Sequence, residues 1–336
     1  MQNPRSFPSY VAALAAFWLV AGCASAGSPP SGAFAPAAGS AAERAARVAG
    51  RLGAAQPSRR TGGWLSPAAK SGKHLIYVAD FSANAIQIYP TSGSNQSPIG
   101  EITDGISGPE GCFVDRHGNL FVANATNQTV TMYKHGGVTW SLQYTGFAYP
   151  TNVAVGANGV LYVDDLVGGK VVEFERGKTR SKRTILVTDP QGAALDSKNN
   201  LYVSYNTGSH GGGPGTVNEY PPKSTKGTDL DLPIVWSAGD AVDSKADVIV
   251  ADQGSGSGNA AVYVFPPGST KPSKTIDQGM EDPFRIALDK KNQNLYVADP
   301  EVNELLVYDY ASGTLVNTIT NGLSSVYGVA ISGEGN

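Results

Sequence analysis

One short phrase returns six times along the chain: IYVAD from Ile76, LFVAN from Leu120, LYVDD from Leu161, LYVSY from Leu201, VIVAD from Val248 and LYVAD from Leu295. Between the shared valines (Val78, Val122, Val163, Val203, Val250, Val297) the spacings are 44, 41, 40, 47 and 47 residues. Repeats of this length bury too little to fold alone, so each copy must pack against its neighbours. Eleven residues after the valine stands an aromatic in four copies, namely Tyr89, Tyr133, Phe174 and Tyr308. In the other two it follows after 17 residues (Tyr220) and 15 (Phe265), and the excess falls in SHGGGPG from Ser209 and GSGSGN from Gly254. Insertions in loops between matching strands are what a repeated scaffold tolerates.

A third element precedes the phrase: Pro109-Glu110-Gly111 leading to Asp115 and Gly118, and Pro190-Gln191-Gly192 leading to Asp196 and Asn199. Asp followed three residues later by Gly or Asn reads as a type I turn, hence a hairpin joining an inner strand to the LYVAD strand. Each repeat then supplies four strands, and a period in the forties built of four short strands predicts an all-β, six-bladed β-propeller. The second strands are apolar on both sides, with Leu75, Tyr77 and Ala79 alternating with Ile76 and Val78, as stacked blades require. The first repeat lacks a preceding Pro-x-Gly element, while Val326–Ser332 (VYGVAIS) is that element with no LYVAD after it. The two halves make one blade, so pairing of the N- and C-terminal strands is expected to close the ring and remove its open edge.

The N-terminus reads as targeting rather than fold. Arg5 is followed by an apolar run of eleven, Tyr10–Val20, about 16 Å as a helix and too short for a ~30 Å hydrocarbon core. The run ends in Val20-Ala21-Gly22-Cys23, which resembles the lipobox of bacterial lipoproteins. That resemblance implies cleavage before Cys23, acylation of its thiol and amino group, and, with Ala24 next, sorting to the outer membrane of a bacterial envelope. Residues 1–22 are then a signal peptide. Residues 23–73, rich in Ala, Gly, Ser and Pro, are expected to be a flexible tether, with the folded domain at 74–336. The other cysteine, Cys112, stands where the repeat has Val153, Ala193, Ile286 and Val329, a buried apolar position.

Charge is uneven. Residues 1–73 hold eight basic side chains against Glu43 alone, which leaves 17 basic and 27 acidic side chains in residues 74–336. An acidic domain of this kind argues against a nucleic-acid partner, whose phosphates call for basic side chains.

Phrases such as Pro283-Phe284-Arg285-Ile286-Ala287-Leu288-Asp289 followed by Asn294-Leu295-Tyr296-Val297-Ala298-Asp299 resemble NHL repeats, the six-bladed propeller family. Members of that family bind RNA or proteins, serve as extracellular receptor domains, or act as lyases and lactonases, so the resemblance specifies fold more than activity. In the related gluconolactonase-type propellers a divalent metal is held at the position that here carries Glu110, Thr151, Gln191, Ala238, Phe284 and Tyr327, of which only Glu110 is a carboxylate. A virginiamycin-lyase-like reaction would need a histidine base. His74, His117 and His135 are badly placed for it, and His210 in a Gly-rich loop is the one on the right face. No cofactor, metal set or catalytic set is expected. Asp80, Asn124, Asp165, Asp252 and Asp299 end the second strands, where Asp and Asn serve tight turns.

The remaining candidate is a ligand site at the pore mouth made of Glu110, Asn152, Gln191, Asp240, Arg285 and Tyr327. Arg285 stands where other repeats have Gly111, Gly192, Gly239 and Gly328, and Asp240 replaces an apolar residue. The expected role is that of a tethered, monomeric binding propeller for an unknown protein or small-molecule ligand. A propeller hydrolase or lyase and a structural envelope protein are the alternatives.

Overall fold

The computed structural model describes residues 62–208, 212–254 and 259–333. Cys23, the expected tether up to residue 61, His210 and the centres of both Gly-rich insertions lie outside them.

The second strands, such as Leu75–Asp80 and Leu161–Asp165, are buried along their whole length. Period-2 alternation divides them between two neighbours: Ile76 and Val78 join an apolar cluster with Tyr296 and Leu305, whereas Leu75, Tyr77 and Ala79 join Val114, Val122 and Tyr133. Among the described residues there are six such clusters, and each is built mainly from two blades adjacent in sequence, including the last with the first. Faces that can be buried only against another blade force a ring.

The six sheets confirm it, each ordered inner strand, LYVAD strand, aromatic strand, outer strand. In blade 1 the inner strand is Val326–Ile331, paired antiparallel with Leu75–Asp80 through Val78↔Val329. Ser332 fastens the joint, since its hydroxyl accepts from Leu75 N at 2.9 Å. The likeness among blades extends to the inner turns. Asp115, Asp196 and Asp243 each turn a carboxylate inward to accept backbone N–H groups of their own turn at 2.8–2.9 Å.

Two boundaries differ from expectation. The folded part begins upstream of residue 74: Gly63–Leu65 adds a fifth strand to blade 1 beside Gly100–Ile102, and a short helix, Pro67–Ser71, follows. Ser66 caps that helix by accepting from Ala69 N at 3.1 Å, and Ala69 is buried under blade 1. Blade 1 has an outer strand of only three residues, so its apolar edge needs this cover. In blade 4 the excess residues do not all form a loop, because Leu201–Gly208 and Gly212–Tyr220 extend the hairpin itself.

Candidate functional site

At the top of the channel the inner strands approach too closely for side chains. A Cβ on Gly328 would lie 2.3 Å from Glu110 O, and one on Gly239 would lie 2.6 Å from Phe284 O. In blades 1, 2 and 5 the cross-strand partner of this glycine is an alanine: Gly328↔Ala79, Gly111↔Ala123, Gly239↔Ala251. Blade 3 carries Asn152↔Asp164 instead and blade 4 Gly192↔Ser204, while blade 6 has Arg285. The repeat therefore clears space at the axis, and three blades fill it with polar groups.

Arg285 spans that space. Its guanidinium donates to the carbonyls of Ala238 in blade 5 and Thr151 in blade 3, and lies 3.9 Å from Glu110 of blade 2. Its other side lies over the Phe284 ring at 4.1 Å. Glu110 in turn accepts from the Tyr149 hydroxyl at 2.6 Å. Burying such a pair is costly, and the further bonding of each partner offsets part of that cost.

Beside it sit two carboxyls. Asp240 rests on Gly192, where a Cβ would stand 2.2 Å from Oδ1 and 2.7 Å from Ser204 Oγ. Neither Asp240 nor Asp164 makes a hydrogen bond of normal geometry, and the Ser204 hydroxyl makes none either. Burial pushes the Asp164 carboxyl up to about 7, with Arg285 and the Asn152 amide pulling the other way. Asp240 is raised well above the ordinary carboxylate range, first by burial and then by Asp164. Both shifts favour the protonated form, and a protonated carboxyl both donates and accepts.

The expected pore-mouth residues thus converge, but as a buried plug rather than an open surface: Glu110, Gln191 and Arg285 are exposed by 1%, 6% and 3%. Tyr327 belongs to an aromatic lid, its ring 4.9 Å from Phe81 and 5.3 Å from Phe284. Asn152, Asp240 and Arg285 form the inner end of a cavity of about 120 Å³. Its walls mix polar backbone with apolar side chains such as Val153, Ala193, Ile286 and Val329, and toward the inner turns Val242, Ala287 and Leu288 become partly exposed. The channel therefore opens on the face opposite the expected mouth. Asp164 was not among the expected residues, although its signal was present: the other repeats have Ala79, Ala123, Ser204, Ala251 and Ala298 at that position.

The ring of second-strand ends is structural. Asp165 accepts from Ala148 N and Tyr149 N at 2.8–2.9 Å, and Asp252 from Val235 N and Trp236 N at 2.8–2.9 Å. Each fastens the loop leading into its own inner strand. Among the described residues no group of three or more His, Cys, Asp or Glu side chains is close enough to hold a metal ion.

No protein-family model matches the sequence, and no curated protein matches it significantly. Solved structures do resemble it. A chain of a nidogen/laminin complex superposes with a TM-score of 0.61 at 15% identity, covering 77% of this chain and 98% of its own. Hydrazine synthase of Kuenenia stuttgartiensis gives 0.54 at 14% identity, covering 80% and 88%. The fold is a six-bladed β-propeller. At such identities the likeness extends to the fold alone.

Proposed function

We propose that this propeller is a binding protein whose ligand inserts a small, uncharged, hydroxyl-bearing group into the central channel from the inner-turn face. One observation carries the reading: the Asp164 and Asp240 carboxyls and the Ser204 hydroxyl converge in a buried place where none reaches a hydrogen bond of normal geometry, and only the Asn152 amide and the Ser204 hydroxyl itself act on the two carboxyls, so hydrogen-bonding capacity is left over that structures rarely leave unused. A charged group is disfavoured, because Arg285 is already balanced by Glu110 and burial disfavours charge on both aspartates. Hydroxyls match protonated carboxyls in both directions. An engineered cavity of about 150 Å³ accepts benzene, so the 120 Å³ here suits an inserted group of about four or five heavy atoms.

Saturation-transfer NMR with glycerol and with a methyl glucoside tests this. Transfer to at least one probe is expected in the wild-type protein and its loss in Asp240→Leu, a change of similar size that removes the carboxyl. Absence of transfer to both probes, or equal transfer in the variant, overturns the reading.

The same proposal holds the propeller in the bacterial envelope through acylated Cys23, on the strength of the Val20-Ala21-Gly22-Cys23 motif. Two or three acyl chains suffice for stable anchoring, because one chain alone is marginal. Cys23→Ser should move the protein from the membrane to the soluble fraction. Mature wild-type protein found free of lipid by mass spectrometry would refute the anchor without touching the channel site.

A further inference from the structure

The two faces of the ring carry opposite charge. On the inner-turn face Lys73, Arg116, Lys198, Lys245, Lys290 and Lys291 are all exposed, in five of the six blades. Three carboxylates of the same turns, Asp196, Asp243 and Asp289, are buried, each accepting backbone N–H groups of its own turn, while Asp115 and Asp247 are half-buried. Their charge is spent inside the turn while the lysines beside them face solvent. The outer connections add to this face. Arg176 approaches His117 at 3.0 Å, and Gly118 packs against His135, whose neighbour Lys134 is exposed.

The opposite face is acidic. Asp231, Asp277, Glu281 and Glu301 are exposed there, and the nearby Lys170 is held 3.4 Å from Asp165. The acidic net charge of the domain therefore conceals a basic face and an acidic one.

We infer that the basic face docks on an anionic lipid surface. The charges are spread over a whole face of the ring rather than gathered in a groove, which fits a planar partner better than a small anion. They are mostly lysines, hydrated point charges without the bidentate geometry that specific phosphate or carboxylate recognition uses. Each Lys or Arg near an anionic bilayer contributes about 1 kcal/mol, so a handful is sufficient. The acidic face would be repelled by the same surface, and the charge asymmetry thus fixes which way the ring turns. The described chain enters at the acidic face, where Thr103 N and Asp104 N bond Gly62 O at 3.0 Å. The 38 residues between Cys23 and Gly62 reach at most about 130 Å if fully extended, so entry at the acidic face does not prevent the basic face from meeting the membrane.

The test uses the full chain carrying Cys23→Ser, so that no acyl chain contributes. Co-sedimentation is measured with phosphatidylcholine vesicles, with vesicles containing phosphatidylglycerol, and with soluble polyglutamate as competitor. Binding is expected to be stronger on the anionic vesicles and to fall with added salt. The quadruple variant Lys198→Gln, Lys245→Gln, Lys290→Gln, Lys291→Gln should bind them at least about tenfold more weakly. The triple variant Asp277→Asn, Glu281→Gln, Glu301→Gln should bind no more weakly than the parent, and all melting curves should coincide. Equal sedimentation with both vesicle types, or an unaffected quadruple variant, overturns the inference. So does binding to polyglutamate without binding to anionic vesicles, which would assign the face to an acidic protein. Because the parent lacks the acylation site, the outcome is independent of the anchor.

Discussion

Arg285 of blade 6 reaches across the channel to Glu110 of blade 2, Nη2 lying 3.9 Å from Oε2, so that one side chain ties blades on different sides of the ring. A guanidinium exposed by only 3% that also donates to Ala238 O and Thr151 O is part of the architecture as well as of the candidate site. Removing it leaves Glu110 buried without its cation. Arg285→Ala is expected to cost about 3–5 kcal/mol in urea unfolding at neutral pH. The double variant Arg285→Met, Glu110→Gln should recover most of that loss, because no uncompensated charge remains. A cost below about 1 kcal/mol for the single variant would show that the pair does not hold the ring.

The Asp164 carboxyl gives the protein a pH signature. Its pKa is raised from an ordinary aspartate value to about 7 by burial, so between those limits the folded state binds more protons than the unfolded state. Stability is then greatest at low pH, falls as pH rises through this window, and levels off above it. Asp164→Asn should flatten that part of the profile and raise stability above neutral pH by at least about 1 kcal/mol. Melting curves across the window check this, and a profile unchanged by the substitution would place the titration elsewhere. Asp240 is raised in the same direction and interacts with Asp164, so the two contribute to one shared change.

The architecture was legible because it rests on periodicity: the six valines, the apolar alternation around them and the split blade of Val326–Ile331 and Leu75–Asp80 all follow from burying both faces of every second strand. The convergence of Glu110, Asn152, Asp240 and Arg285 was also readable, as departures from the repeat. Which way the channel opens was not. That depends on how far Phe81, Phe284 and Tyr327 lean over the axis, and on Arg285 lying along it, neither of which a repeat alignment encodes. Asp164 lies on a second strand rather than an inner one, and its alanine-rich position in the other repeats marks it equally well as a departure. The net charge misled for a related reason. It sums carboxylates hidden in turns, such as Asp196 and Asp243, with lysines exposed beside them.

Ring closure and the added edge strand can be separated by truncation. Deleting Val326–Asn336 removes the inner strand of blade 1 and uncovers the apolar faces of Ile76 and Val78. Aggregation or loss of cooperative unfolding is expected. Deleting residues 24–61 should leave the melting curve nearly unchanged, whereas extending the deletion to residue 71 removes Gly63–Leu65 and Ala69 and should lower the melting temperature by several degrees. Equal tolerance of the two N-terminal deletions would mean that the fifth strand contributes nothing.

Cys112 offers a probe of how tightly blades 1 and 2 are joined. It is buried in the cluster they share, its Sγ 3.7 Å from Tyr77 O, and burial pushes its thiol up to about 12. The thiolate is the reactive form, so against a free thiol near 8.5 the reactive fraction at mildly alkaline pH is lower by roughly a thousandfold or more. In a Cys23→Ser background Cys112 is the only thiol of the chain. Iodoacetamide labelling followed by mass spectrometry should then be negligible in buffer and rise sharply only across the unfolding transition. Since Cys112 also borders the central cavity, a probe that filled the channel would leave this protection intact or increase it. Rapid labelling in the absence of denaturant would instead mean that the blade 1–blade 2 interface opens locally, well below the free energy of global unfolding.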